Sequence, residues 1–179
     1  MKIRLLFLFL IIGTPLPLKA AQQVPITLEL ARTPEEKTWG LMQRTELPED
    51  HGMLFINPHP IRATFWMFNC YLDLSVAFLD EKGTIQEIYN LKSYPERMDP
   101  LRPVNTVADL YRYPQNDPVI TFFHRNRVTS SGKTTFALEM EGGWFERHEI
   151  KPGDRLARDD SSLNATIIQR TLLQNSPRR

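Results

Sequence analysis

The sequence contains very little cysteine, since Cys70 is the single one among 179 residues. One cysteine forms neither an internal disulfide nor a cysteine-rich zinc site. The chain also lacks an excess of charge of one sign, because 22 Lys and Arg stand against 21 Asp and Glu. Without an extended positive field, we expect no nucleic acid among its partners.

Long hydrophobic runs are absent as well. The longest apolar run covers residues 5–12, and a transmembrane helix needs about 20 residues. This run follows Lys2 and Arg4 and leads to the small residues Ala20 and Ala21, an order typical of a signal peptide. The sequence therefore predicts a signal peptide over residues 1–20 and a protein exported to the bacterial periplasm or the extracellular space. A membrane is an expected partner only if the leader stays uncleaved.

The common catalytic signatures are also missing. The four histidines lack metal-binding spacing, and no nucleophile elbow, phosphate loop or dinucleotide fingerprint occurs. We therefore expect no metal site and no cofactor. Cys70 lies in an apolar stretch, which favours a buried, inert thiol over a reactive or intermolecular one.

Short β-strands dominate the pattern that is present. Residues 24–31 alternate between apolar and polar side chains, as a strand with one buried face does. Similar short apolar runs occur at 53–56, 64–68, 76–79, 84–91, 119–124 and 135–140, and residues 80–83 read as a hairpin turn. The pattern predicts a mainly β (α+β) fold, a small compact barrel or roll of short strands.

One N-terminal helix is expected to pack against this barrel. Thr33 can cap it, Pro34 suits its first position and Glu36 completes a capping box, and the helix is predicted to run to about Arg44. Shorter helices are expected near 106–111 and 144–149.

We predict one domain over residues 22–157, a monomer, followed by a C-terminal extension over 158–179. Residues 92–118 contain five prolines and predict a long irregular excursion of the kind that often carries function.

An ordered series of motifs gives the sequence a family resemblance. The series comprises Gly40-Leu41-Met42-Gln43-Arg44, Gly52-Met53-Leu54-Phe55, Phe65-Trp66-Met67-Phe68-Asn69 and Leu72-Asp73. It resembles the domain of unknown function family 192, small bacterial and archaeal proteins that often carry a signal peptide, over residues 26–156. The resemblance implies a compact mainly β fold and no established activity. The sequence departs from the family pattern at Phe68, where Lys is common, and at Cys70, where Thr is common.

Five residues are candidates for ligand binding. Arg44 can grip a carboxylate or bond the last helical carbonyls, and Trp66 can stack on a ligand or belong to the core. Asn69 and Asp73 offer donors and acceptors at one place, although Asn is also typical of turns. Glu139 is the second candidate carboxylate.

Three functions remain open on this basis. The first is an exported domain that binds a small molecule or an envelope protein in a polar cleft. The second is a hydrolase in which Asp73 and Glu139 act as acid and base and Arg44 holds an anion. The third places function in the 92–118 excursion as a protein-binding loop.

Overall fold

A computed structural model describes residues 21–159 and 162–170, so the predicted signal peptide over residues 1–20 lies outside the described residues. The mainly β prediction is confirmed: the fold is a curled half-barrel of seven strands with short helices, accompanied by a two-stranded sheet. The strands are β1 (Gln23–Ala31), β2 (His51–Ile61), β3 (Thr64–Phe65), β4 (Leu74–Leu79), β5 (Ile85–Leu91), β6 (Val128–Thr129), β7 (Thr134–Glu141), β8 (Arg155–Arg158) and β9 (Asn164–Ile168). The helices are α1 (Pro34–Trp39), α2 (Val107–Leu110), α3 (Pro118–Arg125) and α4 (Trp144–Arg147), with a 3-10 turn at Pro95–Arg97.

The large sheet has the order β5-β4-β7-β2-β1-β9-β8. Among the described strands, only β1 and β2 pair in parallel, and such a pair requires a crossover, which the segment containing α1 supplies. The two ends of the sheet meet, because the Ile85 amide donates to the Asp154 carbonyl over 2.9 Å and the Leu156 amide donates to the Gly83 carbonyl over 2.9 Å. This contact curls the sheet, and the predicted turn at residues 80–83 is confirmed by the Gly83 amide, which donates to the Asp80 carbonyl over 3.1 Å.

The sheet carries a buried core on each face. Leu138 of β7 faces a core closed by Trp144 and Phe145, whereas Ala137 faces a second core shared with α2 and α3. Since alternate residues of a strand point to opposite faces, Glu139 lies on the same side as Ala137. An ionisable side chain of an inner strand of the sheet therefore points into an apolar layer.

The first helix is shorter than the sequence predicted. The capping box between Thr33 and Glu36 forms, but α1 ends at Trp39 rather than near Arg44. Gly40 adopts a φ of 51° and its amide donates to the Glu36 carbonyl, which terminates the helix as left-handed glycines commonly do. The strand predicted over residues 64–68 is also short, since β3 holds two residues.

The prediction of a strand over residues 119–124 was wrong, because this segment forms α3. Val119, Ile120 and a following Thr suggested a strand through their β-branched side chains. The Asp117 carboxylate instead accepts a hydrogen bond from the Val119 amide and caps a helix that begins with a proline. Ile120 and Phe123, three residues apart, then bury the same helix face.

We expect Asp117→Ala to lower Tm by about 3 °C through loss of this cap. Asp117 is buried and its carboxylate also accepts from Arg102 Nη1 over 2.6 Å. Thermal unfolding followed by circular dichroism measures the change. Asp99→Ala is the matched control, because Asp99 also pairs with Arg102 but caps no helix of the described chain; an equal loss in both variants would contradict the capping role.

The excursion and the C-terminal extension both contribute to the fold. The excursion contains the 3-10 turn and α2, the helix expected near 106–111, and it buries Val104, Leu110 and Tyr113 in the second core. The extension over 158–179 supplies β9, which pairs with β1 and β8. Among the described residues, no helix is both long and apolar enough to cross a lipid bilayer.

Candidate functional site

A cavity of about 420 Å³ lies between α1 and the sheet, on the side of the second core. The residues that connect β2 to β3, Arg62 and Ala63, form part of its wall. Its lining combines aromatic and aliphatic side chains with a few polar ones: Lys37, Thr38, Trp39, Gly40, Leu41, Met42, Phe55, Asn57, Ile61, Arg62, Ala63, Thr64, Phe65, Trp66, Cys70 and Glu139.

Glu139 occupies the inner end of this cavity. It lies on β7 between Met53 of β2 and Val76 of β4, so strands flank it on both sides, and only 4% of it is exposed. Within residues 21–159 and 162–170, its carboxyl forms no hydrogen bond or ion pair. Its carboxyl oxygens are not among the fully enclosed polar atoms that lack a partner, so the carboxyl opens onto the cavity, where a bound molecule can reach it.

Burial changes the ionisation of the two groups at the inner end. Loss of solvent raises the pKa of Glu139 to about 8, because an apolar surrounding disfavours the charged form. Burial also raises the pKa of the neighbouring Cys70 thiol, and the charge of Glu139 adds to this effect. Cys70 is therefore a neutral thiol, as the sequence favoured, and lacks the thiolate character of a nucleophile.

Aromatic rings form the walls of the cavity. The rings of Phe55 and Phe65 meet edge to face with centroids 4.8 Å apart, and Trp66 stacks on Phe68 at 5.2 Å. Trp66 also lies against His124, with ring centroids 5.1 Å apart, and the parts of Phe65 and Trp66 that stay exposed line the cavity. Trp66 thus packs against the second core and also lines the cavity, and its stacking on a ligand stays a prediction.

Positive charge marks the outer end. Lys37 of α1 donates to Asn57 Oδ1 over 3.3 Å, and Arg62 Nε donates to the Ser130 carbonyl over 3.2 Å. In the described part of the chain, neither cation forms an ion pair with a carboxylate. The cavity thus has a carboxyl inside and two cations near the solvent.

Of the five residues predicted for ligand binding, Trp66 and Glu139 line this cavity, and Arg44, Asn69 and Asp73 do not. Arg44 donates to Glu29 Oε2 over 2.7 Å in a largely exposed pair. Asn69 has a φ of 57° and donates to the Val104 carbonyl over 2.9 Å, an arrangement that ties a tight turn to the excursion.

Asp73 is held by its own set of partners. Partial burial raises its pKa, but hydrogen bonds from Ser93 and Lys92 outweigh it and leave the pKa of Asp73 below its usual range. Lys92 Nζ lies 3.1 Å from the carboxylate. Asp73 and Glu139 therefore have separate environments and do not face one cavity.

Sequence reasoning did not find Lys37, Asn57 and Arg62. Lys37 belongs to α1 and Asn57 to β2, and Arg62 follows the end of β2; all three line the cavity. They meet only because the crossover lays α1 over β2, and no motif or spacing signals that contact. Among the described residues, no group of three or more His, Cys, Asp and Glu side chains is placed to hold a metal ion.

Comparisons with known proteins place the fold among uncharacterised bacterial domains. A candidate transcription regulator from Sinorhizobium meliloti 1021 is 25% identical, with a TM-score of 0.53 over 76% of this chain and 93% of that chain. A protein of unknown function from Novosphingobium aromaticivorans DSM 12444 is 29% identical, with a TM-score of 0.52 over 78% of this chain and 87% of that chain. No curated protein matches the sequence significantly.

The family comparison agrees with the motif series. Residues 17–158 match domain of unknown function family 192 (DUF192, described as an uncharacterized ACR). This match covers most of the chain and includes every motif that carried the resemblance. The chain therefore belongs to the domain of unknown function family 192.

Proposed function

We propose that this protein is an exported domain that binds a small organic ligand in the cavity between α1 and the sheet. The observation that carries the proposal is the buried, unpartnered carboxyl of Glu139 at the inner end of an aromatic-walled cavity. Burying a carboxyl without a partner costs free energy. A ligand that forms hydrogen bonds with the carboxyl offsets this free-energy cost.

The size and lining of the cavity support the same function. Ligand sites are typically concave, mostly apolar and about 300–1,000 Å³ in volume, with a few polar groups that fix orientation. Here about 420 Å³ is lined by aromatic side chains together with Glu139, Lys37 and Arg62. Export rests on the signal-peptide pattern of residues 1–20.

Hydrolysis by Asp73 and Glu139 receives no support from the geometry. An acid and a base that act on one substrate must both reach it. Asp73 pairs with Lys92 and Ser93 outside the cavity that Glu139 lines. Arg44 pairs with Glu29, so the anion clamp of that hypothesis also lies elsewhere.

A thermal unfolding screen tests the proposed function. The panel consists of amines, amino acids, carboxylic acids, sugars and cell-wall fragments. A ligand at 100 times its Kd adds about 2.7 kcal/mol to the free energy of unfolding, which raises the Tm of a domain of this size by several degrees. We expect such a shift with wild type and its loss in Ala63→Phe, which fills the cavity.

Ala108→Phe is the matched control, because Ala108 is exposed on α2 and does not line the cavity. This variant should keep the ligand shift. Trp66→Ala, which removes one wall, provides a second test if Ala63→Phe does not fold. A shift that persists in both cavity variants, or no shift with any panel member, would contradict ligand binding at this place.

A further inference from the structure

We propose that the cavity binds a small organic ammonium ion, with its charged nitrogen against Glu139 and its apolar body between the aromatic walls. A ligand that pairs with the cations of the cavity as well as with Glu139 also carries a carboxylate, which contacts Arg62 and Lys37. This inference rests on the proposed function and adds the chemical class of the ligand.

The inner end lacks the hydrogen-bond donors that a carboxylate requires. An ionised carboxylate only accepts hydrogen bonds, and no donor of the described chain bonds Glu139. A primary ammonium supplies up to three N–H donors together with the compensating charge. When Glu139 is ionised, a neutral hydroxyl would leave its charge unpaired, and an anionic group would be repelled by it.

The walls suit a cation with an apolar body. The partly buried Trp66 and Phe65 line the cavity together with Glu139. Aromatic faces attract cations within about 6 Å of the ring centroid, and their hydrocarbon surface stabilises an alkyl or aryl chain by burial. An inorganic cation would leave this surface without a contact.

The outer end supports a ligand with two separated charges. Arg62 is exposed and Lys37 half-buried, whereas Glu139 is buried. The two cations therefore lie nearer the solvent than the carboxyl does. In an α-amino acid the two charges are adjacent, but in an ω-amino acid they are separated by the carbon chain. The ω-amino acid matches this arrangement better.

Proton release is a measurable consequence of ammonium binding. The titratable side chains that line the cavity with Glu139 are Lys37 and Arg62, which are cationic, and Cys70, whose thiol burial keeps neutral. Burial raises the pKa of Glu139 to about 8, so below that pH an ammonium ion must displace the proton. The affinity for a cation should then rise toward tenfold per pH unit between about pH 6 and pH 8.

Calorimetric titration with four unbranched six-carbon compounds tests the ligand class. Hexylamine is a cation, 6-aminohexanoate carries both charges, hexanoate is an anion and 1-hexanol is neutral; 2-phenylethylamine is added as an aryl amine. We expect both amines and 6-aminohexanoate to bind wild type about tenfold or more tightly than hexanoate and 1-hexanol near pH 8. Their affinity should fall as the pH is lowered to about 6.

Three variants assign the contacts. Glu139→Gln should weaken hexylamine binding about tenfold or more and abolish its pH dependence, whereas Glu141→Gln, an exposed carboxyl on the same strand, should change neither. Arg62→Met should weaken 6-aminohexanoate but not hexylamine. Circular dichroism confirms that each variant is folded.

The possible results separate the ligand class from the proposed function. If neither amine binds more tightly than 1-hexanol, or if Glu139→Gln binds hexylamine as wild type does, the ammonium class is overturned. The proposed function still stands in that case if a neutral or anionic member of the screen binds in a manner that Ala63→Phe abolishes. It fails only if no compound binds in the cavity.

Discussion

Glu139→Gln is expected to make the protein more stable than wild type at pH 9 and equally stable at pH 5. Burial raises the pKa of Glu139 from 4.5 to about 8 in the folded protein. Between these two values the folded state holds a proton that the unfolded chain has released, so wild-type stability falls as the pH rises through this window. A shift of this size corresponds to roughly 5 kcal/mol.

Urea unfolding followed by tryptophan fluorescence from pH 5 to pH 9 measures this effect. The free energy of unfolding of wild type should decline with a slope that levels off above about pH 8, and that of Glu139→Gln should lack this decline. Other titrating groups, including the four histidines, are present in both proteins. The difference between the two curves therefore isolates Glu139.

Carboxyls with a lowered pKa change the free energy of unfolding in a different pH range. Asp73, Asp99, Asp109 and Asp117 owe their lowered pKa to hydrogen bonds and ion pairs, so their stabilisation is lost only in acid, as the pH falls below the ordinary carboxyl range. Glu141→Gln should keep the wild-type slope between pH 5 and pH 9. Parallel curves for wild type and Glu139→Gln would show that Glu139 ionises as an exposed carboxyl does.

The sequence predicts the strands well because their periodicity reflects local packing. The alternation in residues 24–31 corresponds to β1, and the turn at 80–83 forms between β4 and β5. It predicts α3 badly because the decisive contacts are a cap by Asp117 and the burial of Ile120 and Phe123. The cap is local, because Asp117 and the following Pro118 form a helix-start signal within the sequence. The burial of Ile120 and Phe123 depends on contacts distant in sequence, which override β propensity.

The site is less predictable than the strands for a related reason. Glu139 stands between Leu138 and Met140, a pattern typical of a strand with one solvated face. The helical layer covers that face, so the carboxyl is buried by residues far away in sequence. Arg44 and Asp73 occupy motif positions, yet they pair with Glu29 and Lys92, because a motif records structural contacts as well as functional ones.

The motif Gly52-Met53-Leu54-Phe55 contains both kinds of residue, one that lines the cavity and one that serves the packing of the strands. Phe55 forms a wall of the cavity, whereas Gly52 lies opposite Met140 in the pairing of β2 with β7. A Cβ atom on Gly52 would overlap both the Met140 sulfur and the Glu139 carbonyl oxygen. The carbonyl belongs to β7, an inner strand of the sheet, whose hydrogen bonds to β2 and β4 prevent it from moving away.

Gly52→Ala is therefore expected to destabilise the protein by about 3 kcal/mol or more, at the upper end of the cost of overpacking. Urea unfolding at pH 6, where most of the Glu139 carboxyl is protonated, measures the loss. Gly132→Ala is the matched control, because no atom lies within 4 Å of the added Cβ, and its effect should stay within about 0.5 kcal/mol.

A second substitution identifies the atom responsible for the loss. Met140→Ala removes the sulfur contact but leaves the Glu139 carbonyl in place, so Gly52→Ala should remain strongly destabilising when it is added to Met140→Ala. A loss below about 1 kcal/mol in either background would mean that β2 can move away from β7. In that case Phe55 would shift relative to Glu139, and ligand binding in the cavity should weaken along with stability. If Gly52→Ala is strongly destabilising in both backgrounds, β2 cannot move away from β7. Gly52 then fixes the distance between the cavity wall at Phe55 and the Glu139 carboxyl.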